Sequence, residues 1–124
     1  MSHFTAVVTG YLRVWNETDP AARAAAAGAV FTEDVRYVDP LLAVEGRDAL
    51  VAAIGAVHEQ FPGFAFRPAG VVDGHHGRVR FSWELGPAGG PEAPVAGSDV
   101  AVLAADGRIS EVHGFLDRVP PAQR

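Results

Sequence analysis

Apolar residues recur at three- and four-residue spacing through the first part of the chain, at Phe4, Val7, Val8, Tyr11, Leu12, Val14 and Trp15. That spacing predicts an amphipathic helix, and Ser2 is placed to cap it. Asn16 to Thr18 breaks the pattern. Asp19-Pro20 then reads as a cap followed by proline at the first helical position, opening an alanine-rich helix that runs to about Gly28. Phe31 anchors the next segment, and Val35 to Val38 reads as a short strand. A third helix starts at Gly46-Arg47-Asp48, with Leu50, Val51, Ile54, Val57, His58 and Phe61 on one side, and Pro62 stops it. Beyond Pro62 the period changes from helical to alternating.

Phe64 to Val72 is a predicted strand, and Asp73 to Gly77 a turn. Val79, Phe81, Trp83 and Leu85 then alternate with Arg78, Arg80, Ser82 and Glu84, the pattern of a half-buried strand. Gly86 to Pro94 reads as a Gly/Pro-rich loop. Val95 to Leu103 and Ile109 to Leu116 are further strands, joined by a tight turn at Asp106-Gly107, and the chain after Pro120 is expected to fray. The expected fold class is α+β, with three N-terminal helices packed on a strongly curved, mostly antiparallel sheet. The expected domain is single, spanning residues 1–119.

Composition narrows the classes of function. The chain has 124 residues, 48% of them hydrophobic, enough for one packed core. Its net charge of -5, with no lysine, offers no basic stripe to neutralise phosphates, which argues against nucleic-acid binding. The absence of cysteine removes disulfides, thiolate catalysis and zinc-ribbon sites together. The first residues lack the basic start and apolar run of a signal peptide, and no apolar run approaches a membrane span. A soluble protein in the cytoplasm is the default expectation.

Three residues stand out chemically. Asp39 lies at a strand exit before Pro40, among Val38, Leu41, Leu42 and Val44, where a carboxylate loses hydration and becomes a better base. The plain alternative is an Asp-Pro turn acid facing water. Asp99 shares strand parity with Val95, Ala101 and Leu103 and so points to an apolar face. A buried acid is costly unless it is protonated or hydrogen-bonded, and no lysine exists to pair with it. Tyr11 sits on the apolar side of its helix, so its hydroxyl must find a partner or line a cavity. His75 and His76 do not form a usual metal geometry with Asp73, and His58 reads as structural. No Ser-His-Asp spacing, phosphate loop or dinucleotide fingerprint is present.

Several segments, in order, carry a resemblance: Tyr11-Leu-Arg-Val-Trp-Asn16, Phe31-Thr-Glu-Asp34, Val38-Asp39-Pro40 and Gly46-Arg47-Asp48-Ala49-Leu50. Gly97-Ser98-Asp99, Asp106-Gly107-Arg108-Ile109 and Gly114-Phe115-Leu116-Asp117 continue it. Together they resemble the nuclear transport factor 2-like superfamily, in its SnoaL-like and ketosteroid isomerase-like branch. The resemblance implies a cone-shaped α+β barrel whose sheet curls around a pocket closed by the helices. It implies that Asp39 moves a proton while Tyr11 and a protonated Asp99 donate hydrogen bonds to a developing oxyanion. The segment between Tyr11 and Asp39 is about one helical turn longer than in the isomerase pattern.

The implied activity is acid/base proton transfer next to the carbonyl of a small, largely apolar substrate, without cofactor or metal. Isomerisation and SnoaL-like aldol cyclisation are the two forms, the second with Asp99 as base. Trp15, Phe81, Trp83, Val112 and Leu116 are the expected substrate-binding residues. The family pattern turns Val112, Gly114 and Leu116 to the pocket and leaves His113 and Phe115 outside with Val100 and Val102. That mixed outer face predicts a homodimer through the back of the sheet. The alternatives are a hydrophobic ligand-binding module without chemistry and a protein-interaction domain of the transport-factor kind.

Overall fold

The structure is a computed structural model that describes residues 3–120, so the Ser2 cap and the chain after Pro120 lie outside the described residues. Helix α1 spans His3–Asn16, α2 Pro20–Val30 and α3 Arg47–Gln60. The strands are β1 Phe31–Val38, β2 Ala43–Glu45, β3 Phe64–His75, β4 Arg78–Pro87, β5 Val95–Leu103 and β6 Ile109–Arg118. They form one curved, open sheet in the order β2-β1-β6-β5-β4-β3. No described helix is long and apolar enough to cross a membrane.

Helix α1 buries Val8, Tyr11, Leu12, Val14 and Trp15, the face set by its periodicity. At its end the Asn16 side chain acts as a strand partner for Phe66, donating to its carbonyl at 2.9 Å and accepting from its N–H at 2.7 Å. This fixes α1 across β3. Asp19 caps α2 by accepting from the Ala22 N–H at 2.8 Å, with Pro20 in the first turn. The break between these helices is held by Arg23. Its buried guanidinium donates to the Glu17 carbonyl at 2.9 Å and the Thr18 carbonyl at 3.2 Å. Gly46 opens α3 with φ of 98°, a conformation that favours glycine, and makes no side-chain cap.

The sheet adds detail to the expectation or departs from it in four places. The strand expected over 35–38 starts at Phe31, directly after α2. Ala43–Glu45 forms an additional short strand, pairing antiparallel with β1 so that Tyr37 faces Val44. The stretch Arg36 to Gly46 is therefore a hairpin with Asp39 at its turn. Three residues are too few for alternation to reveal a strand. β1 then runs parallel to β6, with Tyr37 opposite Val112, while every other pairing is antiparallel. Local patterning does not encode which distant strand a segment pairs with. Finally, the expected turn over 73–77 shrinks to His76-Gly77, both with positive φ of 46° and 74°. Asp73 is still in β3, ion-paired to Arg80 at 3.1 Å.

Register shifts fall between Ala69 and Asp73 in β3 and between Ala96 and Gly97 in β5. Such bulges bend and twist strands, and here they accompany a sheet that curves around the helices. Its inner face carries Val79, Phe81, Trp83 and Leu85 from β4 and Val95, Gly97, Asp99 and Ala101 from β5, all buried. Most of the outer face is polar. Ser82, Ser98 and Asp117 form a hydrogen-bonded row there, at 3.0 and 2.6 Å.

Candidate active site

Across the inner face, residues of β4, β5 and β6 stand in rows. The row Val79, Ala101, Val112 lies fully in the core, and the row Trp83, Gly97, Leu116 lies towards the open end of the fold. Between them lies Phe81, Asp99, Gly114. Asp99 is thus the acid at the floor of a cavity of about 680 Å³. Tyr11, Trp15, Tyr37, Asp39, Phe66, Trp83, Leu85, Val95 and Leu116 line it, with Leu42, Val57 and Phe61 closing it from the hairpin and from α3.

Of the candidates named from sequence, Tyr11, Asp39, Asp99, Trp15, Trp83 and Leu116 meet around this one cavity. Phe81 and Val112, expected against the substrate, are instead core. Phe81 is 1% exposed and packs edge-on against the Tyr11 ring at 5.1 Å between centroids, and Val112 is buried opposite Ala101 and Tyr37. Strand parity tells which face a residue takes but not its depth along the cone. His113 lies on the outer face, 3.1 Å from Glu111, and His58 Nε2 is 2.7 Å from the Trp15 carbonyl, tying α3 to the end of α1.

The polar groups form two Tyr–Asp pairs. The Tyr11 hydroxyl reaches from α1 and donates to Asp99 Oδ2 at 2.8 Å. The Tyr37 hydroxyl donates to Asp39 Oδ2 at 2.7 Å. Tyr37 is the residue that the sequence reading passes over. Its signal was legible in part, since Tyr37 lies on the buried side of β1, two residues before the Asp39 turn.

The environments of the pairs differ. Asp99 is 3% exposed, and burial pushes its carboxyl up to about 6. Hydrogen bonds from Tyr11 and Trp83 pull it down, and the charges of Asp39 and Asp117 push it further up. Burial, and then the Asp99 charge, hold the Tyr11 phenol well above its ordinary range. Tyr37 is pushed up by burial and by its bond to Asp39. Asp39 is not stranded among apolar neighbours as expected. Its Oδ1 accepts from the backbone N–H groups of Leu41 at 2.8 Å and Leu42 at 3.0 Å, in addition to the Tyr37 bond at Oδ2.

Two glycines let these groups approach. A Cβ at Gly114 would stand 2.9 Å from Asp99 Oδ1 and 3.2 Å from Asp39 Cβ, so a bare backbone separates the two acids. A Cβ at Gly97 would run into the Trp83 indole and the Phe115 carbonyl. The indole can lie across β5 only because that side chain is missing.

The family model for the SnoaL-like domain matches residues 8–112, most of the chain. The chain belongs to the SnoaL-like family. Among solved structures, this SnoaL-like domain is similar to a family member from Agrobacterium tumefaciens str. C58, provisionally called an isomerase. The two are 41% identical with a TM-score of 0.89, over 94% of this chain and 99% of that one. A SnoaL-like protein from Jannaschia sp. CCS1, provisionally called a polyketide cyclase, matches at 24% identity and TM-score 0.69, covering 94% and 90%. An NTF2-like protein of unknown function from Exiguobacterium sp. 255-15 matches at 22% and 0.70, covering 90% and 98%. The last two show the shared fold alone. A search of curated proteins finds no match.

Proposed function

We propose that this SnoaL-like domain abstracts a proton from a carbon next to a carbonyl in a small, mostly apolar substrate, with Asp99 as the base. The observation that carries this reading is an acid raised to about 6, buried at the floor of a cavity of about 680 Å³ and hydrogen-bonded to Tyr11. A base works best when its pKa lies near the working pH, and burial is what moves a carboxyl there. In the proposed step Asp99 takes the proton and the C–H electron pair moves onto the carbonyl oxygen as an enolate. A neutral Asp99 holds the Tyr11 hydroxyl less strongly, which frees that O–H for the enolate oxygen in a site shielded from water. Returning the proton elsewhere gives an isomerase, and attack by the enolate carbon on a second carbonyl gives a cyclase. The similarity to a family member provisionally called an isomerase supports the same class.

The roles differ from those the isomerase resemblance implies, where Asp39 is the base. Three donors already occupy Asp39, and the Tyr11 proton is directed at Asp99 rather than at an empty oxyanion site. The test is solvent-deuterium exchange into a β,γ-unsaturated cyclic ketone, followed by NMR. The wild type should accelerate exchange, and Asp99→Asn should lose about 10²–10⁴-fold of that acceleration. Ligand binding without any exchange by the wild type would sink the enzyme reading and leave a hydrophobic binding module.

The homodimer expectation has support on the outer face, where Phe115 is 59% exposed on the same side of the sheet as Val100 and Val102. Sedimentation at micromolar concentration should give twice the chain mass. A monomer that persists at high concentration removes the dimer from the reading.

A further inference from the structure

The hydrogen-bonding inventory of the cavity is one-sided. Both tyrosine hydroxyl protons are spent on carboxylates, at 2.8 and 2.7 Å, which leaves only oxygen lone pairs facing the space. Ionised Asp39 and Asp99 are acceptors only. The Trp83 N–H lies near enough to Asp99 to lower its pKa, and Trp15 Nε1 is sealed within the wall. Exposed Gln60 is the remaining lining side chain with an N–H. None of the described residues lining the cavity is an arginine or histidine, and the chain has no lysine. Two carboxyls close enough to push on one another therefore share an apolar space with no counter-charge.

We propose that the ligand of this cavity carries a protonated amine, held by Asp39 against the faces of Tyr37 and Trp15. A carboxylate offers about four acceptor sites, and three donors use three of those on Asp39, which leaves room for one ligand N–H. The Tyr37 and Trp15 rings, which both line the cavity, pack at 5.6 Å between centroids and tilt by 46°, so aromatic surface of the kind that attracts a cation stands beside the Asp39 carboxyl. The ammonium supplies the missing positive charge, and a substrate carboxylate or phosphate would meet two acids and no partner. Resting on the proton-transfer reading, this division gives the two acids separate roles. Asp39 holds the amine while Asp99 works on the carbon beside the carbonyl.

The experiment is a binding series that needs no turnover: 2-phenylethylamine, 2-phenylethanol and 3-phenylpropionate, titrated at pH 7.5 by calorimetry and by quenching of Trp15 and Trp83 fluorescence. The amine should bind about tenfold more tightly than the alcohol, and the acid most weakly. Asp39→Asn keeps an oxygen for the Leu41 and Leu42 N–H groups, so the hairpin should survive, as circular dichroism will show. It should cost the amine about tenfold while leaving the alcohol unchanged. Binding of the alcohol or the acid as tight as the amine, amine binding indifferent to Asp39→Asn, or no binding of the amine overturns the proposal. The deuterium-exchange result stands or falls separately, because it reports Asp99 and does not require an amine.

Discussion

Tyr11–Asp99 and Tyr37–Asp39 are the same chemical pair, at nearly the same hydrogen-bond length, set in two different surroundings. Asp99 sits on a central strand, where its backbone is committed to the sheet ladder, so only side chains can serve its carboxyl. Asp39 sits at the turn of a hairpin, where free backbone N–H groups reach Oδ1. The contrast teaches that a phenol partner alone does not define the surroundings of such a carboxyl. Burial and the supply of backbone donors differ between the two sites, and burial is what raises the Asp99 pKa.

The comparison breaks most sharply in the pH dependence of activity. Exchange catalysed by the wild type should rise with pH through about 6 and level off above, as Asp99 loses its proton. The groups facing that carboxyl are Tyr11, Trp83 and Asp39, and the charge of Asp117 acts on it from the outer face of the sheet. A flat profile from pH 5 to 8 would remove Asp99 as the base.

Stability should carry the opposite mark. Asp99 has its pKa raised from 3.8 to about 6 in the folded state, so between those values the folded chain binds more protons than the unfolded chain. Stability therefore falls as pH rises across that window, and at pH 8 the penalty is about 3 kcal/mol. Asp99→Asn should recover up to this amount at pH 8 and nothing near pH 3.5, measured by urea melts at both. Equal effects at the two pH values would show that folding leaves the Asp99 pKa unshifted.

Gly114→Ala should cost about 1–3 kcal/mol, because the added methyl presses on Asp99 Oδ1 and Asp39 Cβ at once. It should also disturb exchange, whereas an alanine at the open position of Gly28, with nothing within 4 Å of its Cβ, should disturb neither. The pH profiles sharpen the comparison itself. Tyr11→Phe removes the donor to the enolate oxygen, which should cost about 10²-fold in rate. It also removes a bond that lowers the Asp99 pKa, so the remaining activity should shift to higher pH. Tyr37→Phe should leave that profile nearly in place, because its hydroxyl serves Asp39. A common shift in both variants would make the two pairs one coupled unit.

Much of this site could be read one residue at a time. The inward direction of Asp99 follows from strand parity, and the burial of Tyr11 from helical spacing. Depth could not be read that way: Phe81 and Trp83 share a face and an aromatic character, yet one is core and the other cavity wall. Which end of the cone stays open depends on how far α3 and the hairpin reach over it.

The sequence by itself determined the three helices, the alternating strands and the inward face of each, because these follow from the periods of 3.6 and 2 that any chain must obey. Only the tertiary structure decided that Tyr11 meets Asp99 across 88 residues, and that β1 lies parallel beside β6, bringing Asp39 alongside Gly114. Periodicity is a property of neighbours along the chain. Pairing between distant strands depends on the whole sheet, and only the assembled, curved sheet places the two acids on one cavity.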